Sequence, residues 1–230
     1  NIGMSGNTAA QYIRVLRVIL NEATEAGTNT NLKYKSNKIA PTQRDTTQIF
    51  LTESELAKIR AVELPDHLKS YRDVFLVSCY TGTRFSDIQK ISSTSFINRG
   101  LHSYFSIKNK KEGAEVAIPV HPVVMEIMDR YKWSLPVIGN SVFNKRIKDI
   151  GLLAGITDDV VVTSYPKGVR SDNVMPKHKL ITAHTGRRSL ICNLILAGVN
   201  RETIKSISGH KTDAAFQRYI RLTPSDHLKV

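Results

Sequence analysis

His184, Arg187, His210 and Tyr219 crowd into one stretch near the C-terminal end of this 230-residue chain, ITAHTGRRSLICNLILAGVNRETIKSISGHKTDAAFQRYIRL. Two imidazoles, a guanidinium and a phenol suit chemistry on a phosphodiester. The planar fork of an arginine can grip two phosphate oxygens at once. A histidine moves protons near neutral pH. A tyrosine oxygen can attack phosphorus and become a covalent link. No carboxylate cluster in the stretch could hold a metal ion, so charge relief would fall to the basic side chains.

Short helices must position these groups. His184 and Arg187 are three apart and share a face of a helix running from His184 to about Ala197, which Gly198 stops. A second helix starts near Asn200 and ends at Gly209. His210 then falls on a turn, and Thr212 or Asp213 can cap a third helix that runs through Tyr219. Arg188 lies about 100° round the first helix from Arg187, so it is expected to form a salt bridge or to touch a polyanion backbone.

Upstream, Thr52 and Glu55 form a capping box that opens a helix. A second helix covers about 68–80, and a turn carrying Arg84 leads into a short helix through Ile91. Residues 104–107 and 115–118 read as two strands of a hairpin whose turn spans 109–113. Helices follow at about 121–131 and 140–154. Residues 159–180 read as irregular, with a short strand at 160–163 and a basic loop, KGVRSDN. Residues 8–26 form an amphipathic helix with Tyr12, Leu16, Ile19 and Ala23 on one face, and Gly27 ends it. Residues 28–48 are polar and basic. The expected fold class is mainly α with a small β-hairpin or sheet, an α+β arrangement.

Lys and Arg total 33 against 20 acidic residues, a net charge of +13, so a polyanion partner is the first expectation. Lys33, Lys35, Lys38 and Arg44 in the polar stretch, and Lys108 and Lys110 near the hairpin turn, are candidates to track a phosphate backbone. The two cysteines, Cys79 and Cys192, sit in apolar helical contexts and read as buried thiols of a reducing compartment. No apolar run approaches about 20 residues, so no membrane span is expected. The remaining histidines are scattered and lack zinc-ligand spacing. The chain begins at Asn1 and is expected to be part of a longer protein.

Three separated motifs, across roughly residues 49–230, resemble the tyrosine recombinases of the phage-integrase family. The first is Thr81-Gly82-Thr83-Arg84 with Asp87 three places on. The last is His184-Thr185-Gly186-Arg187, then Gly209-His210, then Tyr219 nine residues later. Between them, YFSIKNKKEGAEVAIPV matches the family's lysine-bearing hairpin, with Lys111 the best match and Lys110 the alternative. FQRYI and the segment from KGVRSDN to HTGRRS are most similar to integrases of Bacteroides-type mobile elements.

That resemblance implies a tyrosine-recombinase catalytic domain fold and a site made of Arg84, Lys111, His184, Arg187, His210 and Tyr219. Tyr219 would attack the scissile phosphate and leave a 3′-phosphotyrosine and a free 5′-hydroxyl. Arg84 and Arg187 would hold the non-bridging oxygens, and Lys111 would protonate the departing 5′ oxygen. His184 would act in proton transfer with the phenol, and His210 would donate a hydrogen bond to the phosphate. Neither ATP, a metal nor another cofactor is implied. Residues 1–34 would be the C-terminal end of a core DNA-binding domain, 35–48 a linker and 49–230 the catalytic domain. The implied partners are a duplex DNA recombination site, three further copies in a homotetramer on two sites, and accessory DNA-bending proteins. The implied setting is a bacterial cytoplasm, at the nucleoid, and the implied role is integration or excision of a mobile element. A type IB topoisomerase-like enzyme and a non-catalytic DNA-binding protein on the same scaffold are the alternatives.

Overall fold

A computed structural model describes residues 6–36, 47–108, 115–165 and 169–220. The chain divides into two compact units, one of residues 1–47 and 160–175, the other of 48–159 and 176–230.

The larger unit is built round one helix. α2 (Glu53–Ala61) opens on the capping box: Glu55 N–H donates to Thr52 Oγ1, and Thr52 N–H donates to Glu55 Oε2 at 2.7 Å. α3 (Asp66–Thr81) follows, and Val74 through Cys79 are buried as a continuous run. A helix apolar over that much of its surface must be covered on several sides. α4 (Pro122–Arg130), α5 (Asn140–Leu153) and α6 (Ala183–Leu196) pack against it. Full burial of Phe75 alone contributes about 1.5–3 kcal/mol. α7 (Arg201–Ser208) and the one-and-a-half-turn α8 (Asp213–Gln217) complete the helices.

A three-stranded antiparallel sheet of β1 (Phe96–Ile97), β2 (Tyr104–Lys108) and β3 (Glu115–Pro119) lies in the same unit. Phe105 pairs with Ile118 and Ile107 with Val116, and these four are its buried members, as a period of two requires. β3 also packs against α7. The sequence pattern anticipated β2 and β3 but not β1, whose two residues are too few to show an alternation.

Two further expectations fail in detail. The short strand expected at 160–163 is β4 (Asp159–Ser164), but the described residues around it are not irregular: β5 (Ser171–Pro176) pairs with it as a two-stranded sheet, a 3-10 turn covers Lys177–Leu180, and the start of the expected basic loop, 167–168, lies outside the described residues. β5 reads SDNVMP, which has no apolar period. The last helix also stops short: α8 ends at Gln217, and Tyr219 sits on the turn that follows, its N–H bonded to the Phe216 carbonyl at 2.9 Å.

In the smaller unit, α1 spans Gly6–Glu25. Its expected apolar face is not the covered one. Tyr12, Leu16 and Ile19 are exposed, whereas Ala10 is buried and Ile13, Arg17, Leu20 and Thr24 are half-buried. A 3-10 turn at Leu32–Lys35 meets that second face, with Tyr34 Oη 3.0 Å from Thr24 Oγ1 and donating to Asn21 Oδ1 at 2.8 Å.

Candidate active site

Two glycines bring the separated motifs together. Gly82 ends α3 with φ +63°, a left-handed conformation that L side chains rarely adopt, and a Cβ there would lie 2.6 Å from Leu190 Cδ2. Gly186 lies inside α6 where α6 crosses α3. A Cβ on it would lie 2.6 Å from Ser78 Oγ and 3.2 Å from the Ser78 carbonyl carbon. At Gly186 the Ser78 backbone leaves no room for a methyl group, so α6 and α3 approach closely there.

The approach places Arg187 against the end of α3. It is 3% exposed. One terminal nitrogen donates to the Gly82 carbonyl at 2.7 Å and the other to the Ser208 carbonyl. One guanidinium thereby joins the end of α3, the body of α6 and the end of α7. Five N–H donors allow such anchoring while leaving the group able to engage a phosphate.

His210 follows the left-handed Gly209 that ends α7. It is buried, with Nδ1 2.8 Å from Ser208 Oγ. An Arg187 terminal nitrogen lies 3.4 Å from Nδ1 and 3.3 Å from Nε2. Near-equal distances to both ring nitrogens put that nitrogen over the ring face, where it lies along neither lone pair. Burial first, then the charges of Arg187 and Arg84, push the His210 pKa down to about 3. The ring is therefore neutral near pH 7.

Tyr219 closes the group. Its ring centroid is 4.7 Å from that of His210, and the Arg187 guanidinium carbon is 5.3 Å from the Tyr219 ring. Its lower side packs on Ile191, Ile204 and Phe216. Phe216 also meets the edge of His210, at 5.6 Å between centroids. α8 fixes this corner through its cap, because Thr212 Oγ1 accepts from Ala215 N–H at 3.2 Å. His210 and Tyr219 are nine residues apart in sequence, yet the turn after α8 brings their rings together.

Arg84, half-buried, precedes the 3-10 turn Phe85–Lys90, and its carbonyl accepts from Asp87 N–H at 2.8 Å. Asp87 pairs with Lys90 at 2.8 Å. His184 is exposed in the first turn of α6. Its pKa is lowered by desolvation and then by Arg188, Arg187 and Arg84. Arg84 thus contributes positive potential at both imidazoles. Arg188 is half-buried and donates to the Ile49 carbonyl at 3.2 Å, so its role in joining α6 to the start of this unit was not visible from spacing.

Lys33 and Lys35 are exposed on the 3-10 turn of the smaller unit. Lys108 is exposed at the end of β2, and its carbonyl accepts from Lys90 Nζ at 2.6 Å. Lys38, Arg44, Lys110 and Lys111 lie outside the described residues. Cys79 and Cys192 are both buried thiols, and that of Cys192 reaches the Tyr219 carbonyl at 3.6 Å. Among the described residues there is no group of three or more His, Cys, Asp or Glu side chains that could hold a metal ion, and no helix long and apolar enough to cross a membrane.

Sequence reasoning passed over Ser208, Gly82 and Gly186 as working parts of the site. The glycines sat inside the motifs as spacers. Ser208 stands two residues before His210 at the end of a helix, a spacing that lets a hydroxyl reach back to the ring.

No protein-family model and no curated protein matches the chain. Solved structures do. The Tn1549 transposon integrase bound to circular intermediate DNA superposes with a TM-score of 0.64 at 15% identity, over 99% of this chain and 78% of that one. A lambda integrase dimer bound to a COC′ core site gives 0.66 at 16%, over 94% and 74%. The XerH site-specific recombinase in a post-cleavage complex with palindromic difH gives 0.59 at 13%, over 83% and 53%. This chain therefore spans about half the length of that XerH chain. The architecture, mostly helical with small sheets, is the tyrosine-recombinase catalytic-domain fold.

Proposed function

We propose that the chain cuts and rejoins duplex DNA at specific sites through a 3′-phosphotyrosine link, as the strand-transfer enzyme of a mobile element. The observation that carries this reading is the mutual contact of Arg187, His210 and Tyr219, with Arg187 fastened to the glycine of the Arg84 motif. The fold shared with DNA-bound integrases and recombinases supports it, as does the net charge of +13.

The proposed reaction uses these side chains as follows. The Tyr219 oxygen attacks phosphorus, and the bond to the 5′ oxygen breaks. Arg84 and Arg187 neutralise the charge that grows on the non-bridging oxygens. Removing one such preorganised donor typically costs about 3–4 kcal/mol of transition-state stabilisation. Lys111 is the proposed acid for the leaving 5′ oxygen, and His184 and His210 handle protons and hydrogen bonds at the phenol and phosphate. The phosphotyrosine link conserves the energy of the broken bond, so a second 5′-hydroxyl can restore the duplex. Residues 49–230 form the proposed catalytic domain, 35–48 a linker and 1–34 the end of a core DNA-binding domain. Lys33, Lys35, Lys38, Arg44, Lys108, Lys110 and Arg188 are proposed to contribute phosphate contacts. The proposed assembly is a homotetramer on two duplexes, assisted by DNA-bending proteins in a bacterial nucleoid. Integrases of Bacteroides-type elements are its proposed kin.

The test is a pool of random-sequence duplexes carrying 5′-bridging phosphorothiolate linkages. Once cleaved, the thiol leaving group rejoins poorly, so a covalent adduct accumulates. The reading expects a protein–DNA band that survives denaturant and is absent with Tyr219→Phe. Tight DNA binding without any such band would leave a binding protein on this scaffold.

A further inference from the structure

Ser208 has one hydroxyl hydrogen and three neighbours within reach of it, the Lys205 carbonyl being the farthest at 3.4 Å. Its Oγ lies 2.6 Å from the Ile204 carbonyl, one helical turn back, and 2.8 Å from His210 Nδ1. The carbonyl can only accept, so it takes the hydrogen. Oγ must then act toward Nδ1 as an acceptor, and Nδ1 must carry the ring proton. Ser208 is 3% exposed and His210 9%, so bulk water does not readily exchange for either partner. In a neutral imidazole with the proton on Nδ1, Nε2 is a lone-pair acceptor. The Arg187 nitrogen over the ring face favours that neutral form.

From this geometry we infer that Ser208 is a positioning residue that fixes His210 as its Nδ1–H tautomer and so presents Nε2 as a proton acceptor on the ring that packs against Tyr219. The consequence rests on the proposed strand-transfer function. His210 cannot donate to a phosphate oxygen through Nε2 until that atom gains a proton, and the ring beside it, 4.7 Å between centroids, is the phenol that must lose one. In that step the O–H bond of Tyr219 breaks and an N–H bond forms at Nε2, once the negative charge of the bound phosphate offsets the Arg187 and Arg84 charges that otherwise keep the ring neutral. The phenolate oxygen forms the bond to phosphorus, and the 5′ oxygen departs with a proton from the general acid. The imidazolium then has donors at both nitrogens, Nδ1 for Ser208 and Nε2 for a phosphate oxygen. A ring that both accepts the phenolic proton and then binds the new phosphodiester links attack to stabilisation of its product.

The tautomer can be read without DNA. In 15N-labelled protein at neutral pH, long-range 1H–15N correlation of the His210 ring should show a protonated Nδ1 and an unprotonated Nε2. Ser208→Ala removes the acceptor and should shift the ring toward the Nε2–H form, while Ser208→Thr should restore the original pattern. Adduct formation should fall at least about tenfold in Ser208→Ala and recover in Ser208→Thr. A wild-type ring with its proton on Nε2 overturns the inference, even if Ser208→Ala does not fold. So does an unchanged tautomer in a folded Ser208→Ala. The spectrum is independent of catalysis. An Nδ1–H ring in a protein that forms no adduct would sink the proposed function and leave the positioning role of Ser208 intact.

Discussion

Replacing Arg187 with methionine should weaken the fold as well as the chemistry. Methionine retains an unbranched side chain but removes both donors. The Gly82 and Ser208 carbonyls then lose the partners given by the buried guanidinium. A buried acceptor left unsatisfied costs about 1–3 kcal/mol, so the pair costs about 2–6 kcal/mol. Relief of burying a cation offsets part of that. A net loss of about 2–4 kcal/mol is expected, out of about 5–15 kcal/mol for a typical domain. At about 2–4 °C per kcal/mol for a chain of this size, the melting temperature should fall by about 4–16 °C. Urea denaturation followed by circular dichroism checks it: the midpoint should drop while the slope stays constant. Equal stability of Arg187→Met and wild type would refute the two carbonyl bonds and the junction of α3, α6 and α7 built on them.

Gly186→Ala should push α6 off α3, because the new Cβ meets Ser78 backbone at 3.2 Å as well as its Oγ at 2.6 Å. Overpacking of about 1–3 kcal/mol is offset by about 1 kcal/mol of helix propensity. Melting should move by only a few degrees, while adduct formation falls up to about a hundredfold as Arg187 shifts. The His210 pKa, lowered in the fold to about 3, gives a signed pH effect on stability. The unfolded ring binds a proton below about pH 6.5 and the folded ring does not, so its contribution is complete above that pH and is lost on acidification toward pH 3. The slope is roughly 1.4 kcal/mol per pH unit well below pH 6.5, and His184 acts in the same direction. His210→Asn should flatten the curve of denaturation midpoint against pH between pH 6 and 4, as measured in urea. Binding to a random duplex, followed by fluorescence anisotropy, should weaken more than about tenfold between 50 and 200 mM salt. A flat salt profile would remove the phosphate-contact basis of the DNA reading.

Much of the fold follows local rules that a sequence displays. The Thr52–Glu55 box, the left-handed stops at Gly82 and Gly209, and the Phe105/Ile107 and Val116/Ile118 alternation are all short-range signals. β5 carried no such signal: Asp172, Asn173 and Val174 are exposed in succession, so no alternation separates a strand from a loop. The covered face of α1 was misjudged because Tyr12, Leu16 and Ile19 look like a core stripe, while the turn at Leu32–Lys35 engages Thr24 and Asn21 through hydrogen bonds. In the candidate site, residue types and spacing singled out His210 and Tyr219 as candidates, but not that a turn after a very short α8 would bring their rings together. Arg187 read as a phosphate grip, and its burial against two carbonyls depends on a helix crossing that no local pattern encodes.

The most direct measurement is to digest the covalent adduct formed on phosphorothiolate duplexes and locate the nucleotide by mass spectrometry. The account predicts a 3′-phosphonucleotide on the peptide containing Tyr219, formed in the presence of a chelator, and no adduct from Tyr219→Phe. A nucleotide on any other residue, or an adduct that persists in Tyr219→Phe, would contradict it.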